Sequence, residues 1–142
     1  MVSMPNKLKH LDMIEAIIER MSKNCFQLKG WTMTLVVAVS ALASQSSDKR
    51  FIVLAFIPIL GFWILDSFYL QQERKYKLLY KNITEKQESD IDFNLDSSIA
   101  TGSVLELERL RFIKCMLSTT ELWFYPLIAI AMVVLVVILK VY

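Results

Sequence analysis

Asp66 is the residue with the most pointed chemistry in this chain. It is a carboxylate inside a run of twenty residues, 51–70, that carries no other charge. An acidic side chain at such depth costs about 3 kcal/mol to place in a bilayer, so it faces protein or water, and such residues mark ion paths. Two roles are open to it. It is either an interfacial carboxylate bonded to a neighbouring Tyr, Trp, Lys or Arg, or one member of a ring of carboxylates selecting cations at a pore mouth. Pro58 and Gly61 lie in the same run, and a proline there gives a static kink or a gating hinge. Thr34 and Ser40, in the preceding apolar stretch, are small polar residues suited to close helix contacts. Asp66, Pro58, Gly61, Ser40 and Thr34 are therefore the pore or gating candidates.

A second group of residues suits anions. Arg74, Lys75, Lys77, Arg109, Arg111 and Lys114 fall in two short stretches, the first of them among tyrosines. They read either as cations touching anionic lipid or as a site for a phosphorylated messenger or an acidic partner protein. His10, the only histidine, reads as a solvated helix residue. Cys25 and Cys115 fit no metal spacing and read as small packing residues. No nucleophile elbow, phosphate loop, dinucleotide fingerprint or zinc pattern is present. These absences point away from an enzyme, a cofactor or a metal. The net charge of +2 points away from a nucleic-acid binder.

The elements that must position these residues are helices crossing a membrane. Twenty residues at 1.5 Å each give about 30 Å, the thickness of a bilayer's hydrocarbon core. The 142 residues are 55% hydrophobic, with mean hydropathy +0.44 and only three Gly and three Pro, which favours long helices. Three spans are predicted, at 31–47, 51–70 and 122–140. The first is short; the third is entered through Trp123, Phe124 and Tyr125, an aromatic belt. Residues 1–6 read as a loose start without the apolar core of a cleavable signal, and 46–50 as a tight connection. Helical spacing continues outside the spans at 7–29, at 71–84 and at 103–121. The last of these opens on a capping box formed by Ser103 and Glu106 and carries a stripe at Val104, Leu107, Leu110, Ile113 and Leu117. Between them, 85–102 is polar and acidic and reads as a loop. The fold class expected is an all-α integral membrane protein, a single membrane domain of three transmembrane helices with amphipathic cytoplasmic extensions.

Lysine and arginine set the orientation. Five precede the first span and eight lie in 71–121, against three on the other side. The positive-inside rule then places the N-terminus and the long connection in the cytoplasm and the C-terminus outside. Leu11, Ile14, Ile18, Met21, Cys25 and Leu28 step by three and four residues, a heptad-like stripe. With the short spans, this stripe is read as the seam of a homo-oligomer.

The pattern KHLDMIEAIIERMSKNCFQLKGW, then a hairpin of spans, then FWILDSFYLQQERKYKLLY, resembles small bacterial membrane proteins. It is similar in plan to the SLATT-type membrane effectors of nucleotide-signalled anti-phage defence. The likeness covers about residues 8–84 and is one of layout; the third span is an addition to it. The resemblance implies an oligomeric effector of the bacterial inner membrane, a gated pore or permeabilising protein, with a nucleotide messenger as a possible trigger at the cytoplasmic face. The alternative is a non-conducting scaffold or anchor that recruits a soluble protein partner through its cytoplasmic helices.

Overall fold

The computed structural model describes residues 5–45 and 49–141. Residues 1–4 of the expected loose start 1–6, residues 46–48 of the tight connection and the closing Tyr142 lie outside them; Asn6 already belongs to the first helix. Among the described residues the chain is all-helical, and three of its helices are long and apolar enough to cross a membrane.

The first helix, α1 (Asn6–Gln45), runs unbroken for 40 residues, about 60 Å at the helical rise. Gly30 lowers helix propensity by about 1 kcal/mol relative to Ala, which so long a packed helix absorbs. Amphipathic extension and apolar span are therefore one rod. After a 3-10 segment at Lys49–Ala55 comes α2 (Phe56–Glu85), 30 residues long and antiparallel to α1. Pro58, expected to kink or hinge the second span, stands in the first turn of α2 just after the 3-10 segment, where an α-helix has no i−4 bond of its own to lose.

The hairpin has an apolar half and a polar half, each with its own core. In the apolar half, Val36, Ala43, Ile52, Ala55 and Ile59 pack with Tyr125 and Met132 of the last helix. Around that core the side chains turned outward are apolar as well: Leu42 is 70% exposed, Ile57 67% and Ile130 61%. An apolar surface this extensive is unusual on a chain that water surrounds. In the polar half, Ile14, Leu79 and Ile83 are buried, with Leu11, Ile18, Tyr76 and Tyr80 against them. Part of the stripe read as a seam between copies packs within the chain: Ile14 and Leu28 are buried, and Leu11 and Ile18 lie against the core that Ile14 forms with Leu79 and Ile83 of α2. Met21 and Cys25 are half-buried on the same stripe, and the Cys25 thiol reaches the Asp66 carbonyl at 3.8 Å.

The stretch after α2 is strapped down. Ile91, Leu95 and Ala100 join the lower core. Asn82 holds Thr101 by two bonds of 2.8 Å, accepting from its N–H and donating to its carbonyl. Asp92, Asn94 and Asp96 each accept the backbone N–H two residues on, a ladder of Asx turns. The solvated role expected for His10 is overturned, because this loop covers it. His10 is fully buried, its Nε2 lies 3.0 Å from the Asn94 carbonyl, and its ring meets that of Phe93 at 5.5 Å. A carbonyl only accepts, so Nε2 carries the proton. Phe93 takes a left-handed φ of 52° to make this contact, a conformation that non-glycine residues adopt at a cost.

The single helix expected over 103–121 is three pieces: α3 (Val104–Arg109), α4 (Phe112–Met116) and the start of α5 (Thr119–Val141). The capping box forms as the sequence predicts, with both of its bonds present. The breaks follow from α2. Arg74 donates to the Arg109 carbonyl at 3.1 Å, Gln71 to that of Leu110 at 2.7 Å, and Trp63 to that of Met116 at 3.2 Å. Carbonyls released by the interruptions are thereby satisfied from one face of one neighbour. The expected apolar stripe does not form a buried face: Val104 is 78% exposed and Ile113 59%.

Candidate functional site

Charge is concentrated in two places, one closed and one open. The closed one lies where α1, α2 and α5 meet. Lys29 of α1 bonds to Asp66 Oδ2 of α2 and, at 2.9 Å, to Glu121 Oε1 of α5. The Tyr125 hydroxyl donates to Asp66 Oδ2 at 2.9 Å. The tyrosine ring stacks on Trp63 at 6.1 Å, and the ammonium sits 5.8 and 5.9 Å from the rings of Phe124 and Tyr125. Asp66, Glu121 and Tyr125 are all buried. One ammonium faces two carboxylates, and Asp66 Oδ1 and Glu121 Oε2 are buried without a hydrogen-bond partner among the described residues. Lys29 of α1 thus joins a carboxylate from each of the other two helices, so the cluster ties α5 to the hairpin.

The five pore or gating candidates do not converge. Asp66 points into this cluster. Thr34 is exposed and Ser40 half-buried; their hydroxyls donate to the carbonyls of Gly30 and Val36 in their own helix, at 3.0 and 2.7 Å. Gly61 is exposed on a face where an added Cβ meets nothing within 4 Å, and Pro58 is half-buried at the start of α2.

The open region is a groove of about 560 Å³ between α2 and the α3–α4 turn, ending at the first residue of α5. Arg74, Lys77 and Lys81 line one wall; Arg109 and Lys114 line the other. Arg74, Lys77 and Lys81 are spaced by three and four residues and share a face of α2. Lys75, one step round the helix, does not line the groove. Arg109 and Lys114 would stand about 140° apart on a continuous helix; the break between α3 and α4 brings both to the groove. Arg111, in the break itself, does not line it and lies 3.8 Å from Glu108. Of six expected anion-binding residues, four come together and two do not.

Among the described residues Glu106 is the one carboxylate lining the groove, and it is pinned at one end. It accepts from Lys81 at 2.7 Å and from the Ser103 N–H at 2.8 Å. The neighbouring ammonium, with the Ser103 bonds, holds its carboxyl down to about 2. Gly102 makes room for it, since a Cβ there would stand 3.0 Å from Glu106 Oε2 and 3.1 Å from Leu78 Cδ1. Lys77 bonds to Glu73, one turn back on α2. Behind the wall, Cys115 is buried, which pushes its thiol above the ordinary range and leaves it a packing residue. Among the described residues no three or more His, Cys, Asp or Glu side chains are placed to hold a metal.

Sequence reasoning missed Lys29, Glu121 and Tyr125 as site residues. A usable signal existed for the two charged ones. Lys29 stands just before the first apolar stretch, Asp66 four residues before the end of the second, and Glu121 just before the third, all at one level. Opposite charges at one depth on three helices are natural partners. No protein-family model, curated protein or solved structure matches the chain.

Proposed function

We propose that the protein is a multi-pass platform of the bacterial inner membrane, with its N-terminus and polar half in the cytoplasm and its C-terminus outside. It anchors and presents a cytoplasmic helical stalk for a soluble partner or ligand, and carries out no chemical step of its own. One observation carries this reading: the interior shared by α1, α2 and α5 is filled. Tyr125, Met132, Ile52 and Ile59 close it along its length, and the carboxylate that would line a path is bonded inside the chain. The distribution of Lys and Arg supports the orientation.

The test is reconstitution of the purified full chain into liposomes loaded with a self-quenching dye. The vesicles are expected to stay tight at all protein-to-lipid ratios. Rapid dye release would overturn the platform reading.

A second reading, the oligomeric permeabilising effector of anti-phage defence, is favoured by the outward Gly61 and Thr34. Small residues on a lipid-facing surface allow helices of separate copies to approach. Any path would then run between copies. Cysteines introduced at 61 would cross-link in membranes under that reading and not under the first.

A further inference from the structure

We propose that the groove between α2 and the α3–α4 turn is a binding site for an anion carrying at least two phosphate groups. Five cations line it, and two of them, Arg109 and Lys114, have no ion-pair or hydrogen-bond partner for their side chains among the described residues. Arg74 has one nitrogen, Nη1, engaged by the Arg109 carbonyl and the Cys115 sulfur, and its other guanidinium donors are available. Two arginine forks and an ammonium in one concavity match phosphate oxygens, which guanidinium groups contact in pairs.

The charges facing the site from each element are accounted for. From α2 come Arg74, Lys77 and Lys81, the last two held by Glu73 and Glu106. From α3 and α4 come Glu106, Arg109 and Lys114. The surplus is positive, and it is gathered at the end away from Glu106. At that end the lining changes to the hydroxyl residues Ser118 and Thr119, further donors for phosphate oxygens.

Size and lining narrow the class. About 560 Å³ lies within the roughly 300–1,000 Å³ of small-molecule pockets, more than one phosphate ion fills. Leu78, Leu110 and Leu117 line it beside the cations, so the anion carries an apolar or planar part as well. The groove ends where apolar α5 begins, at the headgroup level of the proposed placement. The same chemistry is therefore available from a two-phosphate lipid or from a soluble phosphate ester. This inference rests on the membrane placement and is independent of whether the chain leaks dye.

The test uses the full chain in neutral detergent with two probes. Inorganic pyrophosphate is titrated calorimetrically, and cardiolipin retention is counted by native mass spectrometry. Binding of either probe is expected to weaken about tenfold on Arg109→Ala or Lys114→Ala, the loss of one charged contact. Arg111→Ala removes the same charge outside the groove and should leave binding unchanged. Pyrophosphate binding with this pattern identifies a soluble ligand; cardiolipin alone with this pattern identifies a lipid. Absence of both, or equal weakening by Arg111→Ala, would overturn the proposal.

Discussion

Lys29 and Lys114 carry the same charge close to where an apolar helix begins, and they meet opposite surroundings. Lys29 is surrounded by two buried carboxylates and two aromatic rings. Lys114 is exposed in a groove lined by four other cations and one carboxylate that is already held. The first arrangement has more negative charge than its ammonium neutralises; the second has positive charge left over. A buried cluster in which most charges answer one another is part of what holds the fold. An accessible surplus of one sign plays no such structural part and stays open to solvent, lipid headgroups or a ligand.

The sharpest way to break this contrast is Lys29→Met. It leaves Asp66 and Glu121 buried against each other without a cation, and removing one partner of a buried pair costs about 3–5 kcal/mol. Thermal unfolding in detergent should show a large drop in Tm, with α5 becoming accessible to protease first. Adding Asp66→Asn and Glu121→Gln to the same chain should recover much of the loss. An unchanged Tm for the single variant would mean that the cluster is not a structural tie.

Ile18→Asp comes next. It places a charge on the face of α1 that packs against α2. Each chain should lose stability, by about 2–4 kcal/mol, because an apolar side chain no longer fills its place and an unpaired carboxylate stands there instead. If stability is kept and only the mass of the particle falls, the stripe is an intermolecular seam after all.

Tyr125→Phe removes a donor to Asp66 and should cost about 1–3 kcal/mol, read as a smaller drop in Tm. In the groove, Arg109→Ala should leave Tm unchanged, because that side chain has no partner among the described residues. Similar losses for Tyr125→Phe and Arg109→Ala would erase the distinction between the two regions.

The smallest effect is a pH dependence at the groove's mouth. Glu106 is held below its ordinary range, so it favours the folded capping box at any pH above the usual carboxylate value near 4.5, and that contribution is lost as pH falls toward about 2. Protection of the Ser103 amide against hydrogen exchange, taken relative to its intrinsic rate at each pH, should therefore hold at pH 5 and fall between pH 4 and 2. Glu106→Gln should flatten that profile.

The long helices, the three apolar stretches and the start of α3 are determined by sequence alone. Apolar runs of bilayer length, the scarcity of Gly and Pro, and a serine three residues before a glutamate act locally, within a turn or a single segment. The stripe at 11–28 was legible as a buried face, but not the identity of its cover, because heptad spacing is the same whether the partner is another copy or the chain's own α2. The breaks at 110–111 and 117–118 belong to tertiary structure. They depend on Arg74, Gln71 and Trp63 reaching carbonyls some 35 to 53 positions away, and no local propensity encodes that. Two further outcomes were decided by proximity that only folding creates: Lys29 meeting both Asp66 and Glu121 while the side chains of Arg109 and Lys114 have no partner among the described residues, and a loop rather than water covering His10.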